Sequence, residues 1–131
     1  MSSGWTGTTM APRWYCVVVA LFLGVRATST LVAGASFSLP GDGWRSVWQL
    51  ATVVVLAVGI AYRRVAFAAA LAVGLVYAVV TGLEAFHGTD LMGVVPVDMR
   101  DRIVHPLLGG FALFCVLLGR RRSTDRQPSR R

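Results

Sequence analysis

The sequence predicts an all-α fold, a four-helix bundle integral to a membrane. Three observations predict it. Of 131 residues, 55% are hydrophobic and 15% charged, with a mean hydropathy of +0.62. That is too little charge for a water-soluble domain and too much apolar content for a disordered chain. The charges bracket four apolar runs, each near the ~20 residues a helix needs to cross ~30 Å of hydrocarbon. The runs do not alternate polar with apolar, as 16–23 and 53–58 show. Strands of a small barrel are thereby excluded, and helices satisfy their own backbone where lipid offers no partner.

The first span, 14–33, carries one charge, Arg26. Residues 1–12 precede it as a cytoplasmic segment. Arg13, an apolar stretch and Ala33-Gly34-Ala35 also resemble a cleaved signal, but the polar interval from Arg26 to Ala35 is long for one. The helix is therefore expected to stay. The second span, 46–62, is uncharged between Arg45 and Arg63. The third, 65–86, is uncharged until Glu84 and leads into a loop with Gly88, Gly93 and Pro96. Asp98 reads as the N-cap of the fourth span, 101–119, with Asp101 favouring the same helix N-terminus. Pro106 predicts a kink. The domain is thus 13–119, followed by a basic, disordered tail at 120–131.

All 13 basic residues are arginine, as in GC-rich coding. Placing both termini in the cytoplasm puts nine arginines inside, against Asp125 alone. The other side holds Arg45, Arg100 and Arg102 against Asp42, Asp90, Asp98 and Asp101. Positive-inside orientation follows, for a multi-pass protein of the cell membrane. Trp14, Tyr15 and Tyr62 fall at one boundary and Trp44, Trp48 and Phe86 at the other, as aromatic belts do. Arg120, Arg121 and Arg122 serve as a topology signal and suit anionic lipid headgroups. The tail has no interleaved aromatics and no fold of its own, so nucleic acid is not expected as a partner.

Ala66, Ala70, Gly74, Ala78 and Gly82 recur every fourth residue on the third helix. Such a face lets backbones approach closely in lipid. The chain also has the outline of a parallel repeat. Leu39-Pro40-Gly41-Asp42 corresponds to Val95-Pro96-Val97-Asp98, and Val47-Trp48-Gln49 to Ile103-Val104-His105. On Gly74-Leu75-Val76-Tyr77, Gly82, Val94-Val95-Pro96-Val97-Asp98, Asp101, Ile103-Val104-His105 and Gly109, the second half resembles a bacterial membrane family known as domain of unknown function 4383. The first half departs from that family at Trp44-Arg45-Ser46-Val47-Trp48-Gln49, which lacks a histidine, and Pro106 after His105 is atypical. The resemblance implies four spans and no chemistry.

Ionisable residues inside a membrane are candidates for function. Arg26 lies roughly 20 Å and Glu84 roughly 30 Å above the cytoplasmic boundary by helix rise. A pair between them is one expectation. Asp98 with Arg102, and Asp101 with His105, have i, i+4 spacing with the acid first. Asp101 is expected to orient His105, which either fixes the adjoining loop or responds to protons. Glu84 and His87 share a helix face, but one Glu-x-x-His segment does not make a carboxylate-bridged metal site, so no metal is expected. Cys16 and Cys115 are read as small buried hydrophobes on a reducing side, unbridged. No nucleophile–base pair or phosphate loop is present, so neither enzyme activity nor a cofactor is expected. The sequence favours a non-catalytic structural or interaction module of the cytoplasmic membrane, as a homo-oligomer or with another membrane protein. The alternative is an oligomeric pathway for a small solute, ion or proton, using Arg26, Glu84 and His105.

Overall fold

The computed structural model describes residues 10–88 and 90–124, the side chains of His87 and residues 121–124 excepted. Four helices carry the fold: α1 Met10–Val32, α2 Asp42–Ala61, α3 Arg63–His87 and α4 Met99–Thr124. Each is long and apolar enough to cross a membrane. The helices outrun the apolar windows of the sequence. Helix α2 begins at Asp42 and takes in Arg45, and α4 runs on through Arg120 to Thr124, so the first part of the basic tail is helical. Residues 125–131 lie outside the described residues. Helix α4 also passes through Pro106 without a break in its assignment.

Connections are short. Tyr62 alone joins α2 to α3, with φ −115° and ψ 100°, so it caps both helices in one extended step. Between α3 and α4 the expected loop contains a small antiparallel hairpin, β1 (Asp90–Leu91) with β2 (Val95–Pro96), paired Asp90 to Pro96 and Leu91 to Val95. Its turn is closed by Val94 N–H donating to the Leu91 carbonyl at 3.1 Å. Both central residues, Met92 and Gly93, have positive φ, as a type I′ turn demands. The α1–α2 linker leans on this hairpin: Gly41 N–H donates to the Val94 carbonyl at 3.1 Å. A side chain at Gly41 would come within 2.5 Å of two linker carbonyls, so the crowding there needs a glycine.

Arg26 late in α1, Arg45 early in α2, Glu84 late in α3 and Asp101 early in α4 gather at the hairpin end, so successive helices alternate in direction. Helices α1 and α2 pack along each other, as do α3 and α4; α1 also meets α3 across the diagonal, whereas α2 and α4 stand further apart. The core holds Tyr15, Val19 and Leu23 of α1, Leu56 of α2, Ala70, Val73 and Tyr77 of α3, and Leu108, Ala112 and Val116 of α4. Tyr15 is therefore not a belt residue. It is fully buried, donates its hydroxyl to the Leu108 carbonyl at 3.0 Å and packs against Phe111. Trp14 and Tyr62 are exposed, as is Phe86 at the other end.

The small-residue stripe of α3 divides between neighbours. Ala66 faces α1 and α2: its carbonyl accepts the Cys16 thiol, and its Cα lies 3.4 Å from where a Cβ at Gly59 would stand. Gly74 faces α4, where an added Cβ would meet the Ala112 Cβ at 2.5 Å. Gly109 of α4 sits against the backbone of Gly74 and Ala78. Gly82, at the end of the stripe, has open space around it. The stripe therefore works as a packing face over its first part only.

Two substitutions on this one stripe should separate in effect. Gly74→Leu must push α3 from α4 and should cost about 1–3 kcal/mol, as overpacking does. Gly82→Leu should leave the thermal midpoint in detergent nearly unchanged. Equal midpoints for the two variants would refute the close approach at Gly74.

Candidate functional site: a charge network at the hairpin end

Helix α4 starts with one arm of a capping box. Asp98 precedes the first turn, and Asp101, three residues on, reaches back to accept the Asp98 N–H at 3.2 Å. That posture turns the Asp101 carboxylate into the bundle, where its side chain is 1% exposed. A carboxylate so placed needs positive partners, and two arginines supply them. Arg26 of α1 donates to Oδ1 at 2.8 Å, and Arg45 of α2 donates to Oδ2 at 2.9 Å. The Arg45 guanidinium also binds Asp98 at 2.8 Å. One carboxylate thus ties α4 to both α1 and α2.

The expected Arg26–Glu84 pair does not form. Glu84 faces α4 instead, and its Oε1 lies 2.5 Å from His105 Nδ1. The reason is rotational: depth along the helices brings Arg26 and Glu84 near, but α1 presents Arg26 toward the start of α4, where Asp101 waits. The i, i+4 pairs within α4 are not formed by their side chains either. His105 is taken by Glu84 rather than Asp101, and Arg102 donates to the Gly88 carbonyl rather than to Asp98. Contacts across the bundle displaced the pairs along one helix. The His105 ring also stacks at a tilt on Tyr77, with centroids 5.2 Å apart. Asp90 has a local role, accepting the Gly93 N–H in the hairpin turn at 2.9 Å. The side chain of His87 lies outside the described residues, as do those of Arg121 and Arg122.

Beneath the hairpin these residues line a partly open pocket of about 70 Å³. Arg45, Trp48 and Gln49 of α2, Glu84 of α3, and Asp101 and His105 of α4 form its polar and aromatic walls. Leu91, Val95 and Val97 roof it. Glu84 is 4% exposed, and its second oxygen, Oε2, has no hydrogen-bond partner. The Tyr77 hydroxyl is likewise buried, with Thr52 and Trp48 of α2 as its polar neighbours. Among the described residues, no three His, Cys, Asp or Glu side chains converge in a way that could hold a metal ion. Cys16 and Cys115 are both free and buried.

Sequence reading missed Arg45 and Gln49, which it placed outside the network. A signal for both was present in the repeat. Arg45 stands as far after Pro40 as Asp101 does after Pro96, and Gln49 matches His105 in the same way. Equivalent positions of the two halves meet at one site. No family model, no curated protein and no solved structure matches the chain.

Asp101→Asn should be the most damaging single change here, because it leaves Arg26 without its counter-charge and Arg45 with the exposed Asp98 alone. Its expected cost is about 3 kcal/mol, the lower end for breaking a buried pair, since both arginines keep some exposure. Asp98→Asn, whose side chain is 60% exposed, should cost only about 0–1 kcal/mol. Thermal unfolding of both variants in one detergent checks the order.

Proposed function

We propose that the protein is a non-catalytic structural or interaction module of the cytoplasmic membrane, with four spans and both termini in the cytoplasm. The orientation rests on the nine arginines at the terminal side, and the depth on the length of the four helices. Apolar side chains such as Leu21, Val25, Val54, Val79, Leu107 and Phe114 cover the outside of the bundle as well as its interior. That arrangement suits lipid as the surrounding solvent. Arg120, Arg121 and Arg122 would lie at the headgroups of the cytoplasmic leaflet, where anionic lipid attracts them.

One observation carries the non-transporting reading. The charged groups a pathway would need are paired with one another at the hairpin end, Arg26 and Arg45 with Asp101 and Glu84 with His105. From there toward the termini, α1 has no further charge before Arg13, α2 none after Arg45, α3 none back to Arg64 and α4 none before Arg120. The intervening core is tight, with Gly74 against Ala112 and Gly59 against Ala69 and Cys16. A single bundle of this kind offers scaffold surface, through which it would pair with itself or with another membrane protein.

Reconstitution tests the function. Purified protein in liposomes should pass protons and monovalent cations no faster than empty liposomes. Flux above that baseline, lost in Glu84→Gln and His105→Ala, would replace this reading with an oligomeric pathway. Cysteine labelling tests the orientation. Met92→Cys in the hairpin should react with an impermeant maleimide in intact cells, and Ser129→Cys only after permeabilisation. The reverse pattern would invert the topology.

A further inference from the structure

The two ends of the bundle treat their arginines differently. At the hairpin end Arg26 and Arg45 have Asp101 and Asp98 as partners. At the opposite end the described residues include Arg13, Arg63, Arg64 and Arg120 and no carboxylate. Among the described residues, Arg13 and Arg64 form no ion pair. Their heights follow from the packing beside them. The Cys16 thiol of α1 meets the Ala66 carbonyl of α3, and a Cβ at Gly59 of α2 would touch both residues. Arg13 lies about one turn beyond Cys16, and Arg63 and Arg64 lie within a turn of Ala66 in the same direction. Three arginines from two helix starts therefore share one level.

At that level α1 and α2 leave an open groove of about 230 Å³. Met10, Arg13, Trp14 and Val17 of α1 line it together with Ile60 of α2. Arg13 is the one charged residue among them, and the rest offer apolar surface. Trp14 stands more than half exposed beside it.

We infer that this groove is a binding site for one anionic phospholipid, with the phosphate on Arg13 and an acyl chain along Val17 and Ile60. Charge complementarity selects the headgroup. The arginines at this level have no carboxylate among the described residues to answer them, so a ligand with net negative charge is favoured. A zwitterionic lipid brings its own cation to an end that is already positive. The apolar lining selects a lipid over a free phosphate, which would leave Val17, Ile60 and the Trp14 ring uncovered. An indole at the level of the headgroups is also where a membrane favours one. The inference rests on the four-span reading of the chain and goes beyond it. The tail arginines attract headgroups diffusely, whereas here a single lipid is seated between α1 and α2.

The test uses the full chain in an uncharged detergent. Phosphatidylglycerol is compared with phosphatidylcholine of identical acyl chains and with inorganic phosphate. Phosphatidylglycerol should raise the thermal midpoint by roughly 3 °C or more at saturation, with a hyperbolic concentration dependence. Phosphatidylcholine and phosphate should raise it little or not at all. Arg13→Gln should abolish the shift. Val17→Trp, which fills the groove and keeps every arginine, should abolish it too, and where one of these variants does not fold the other decides. Replacing Arg120, Arg121 and Arg122 together by glutamine should leave the shift in place. No shift in the wild type, or an equal shift with phosphatidylcholine, would overturn the proposal. An equal shift with phosphate would reduce the site to one for a free anion and overturn it as well. So would a shift kept in either folded groove variant, or one lost with the tail arginines, which would mark diffuse attraction to headgroups. Flux through liposomes plays no part in these readouts. A failed lipid shift therefore leaves the scaffold reading standing, and measured flux would remove that reading without touching the lipid site.

Discussion

The carboxylate of Asp101 lies between the guanidinium groups of Arg26 and Arg45 and also accepts the N–H that opens its own helix. Three helices thereby converge on one buried group. Helices that are apolar on all sides draw no specificity from an apolar stripe, so close packing and polar contacts must supply it. In this chain the two act at different ends of the bundle. Toward the termini, glycine and alanine let α3 approach α4 and α2 approach α1 and α3. Toward the hairpin, where α2 and α4 stand apart, the arginines span the gap that backbones do not close.

A buried charge network specifies more than it stabilises. Removing two ions from water costs several kcal/mol each before their attraction returns anything. What the network fixes is rotation. Arg26 must face α4, Arg45 must face the same carboxylate, and α4 must begin its helix with Asp101 turned inward. An apolar replacement would permit the helices to turn about their axes, and the hairpin roof, tied to α2 through Gly41 and Val94, would lose its seat.

The architecture was legible from the sequence because it depends on quantities that a sequence carries directly: lengths of uncharged runs and positions of turn residues. The ends of α2 and α4 were misjudged for the same reason. Arg45 and Asp101 looked like membrane boundaries because charge was taken to mean water, whereas each meets its counter-charge inside the bundle. The site was legible in its membership and not in its pairings. Arg26, Glu84, Asp101 and His105 stand out as ionisable groups in apolar surroundings, and all four belong to the cluster. Which of them touch depends on helix azimuth. Spacing along the chain gives height only, so Arg26 and Glu84 were matched by depth although they face different neighbours. Tyr15 failed in the same way, sitting at belt height but pointing inward.

The repeat gives the pairing its logic. Helices α1 with α2, and α3 with α4, are antiparallel pairs of the same order, so matched positions near the axis between them face one another. Two identical halves would bring like residues together there: arginine to arginine, or aspartate to aspartate, each a repulsive pair in a poorly screened place. This chain sets Arg45 opposite Asp101, an arrangement that only two different halves can make. Gln49 and His105 diverge at the next matched position, where both line the pocket. The polar end of the bundle is thus asymmetric by necessity.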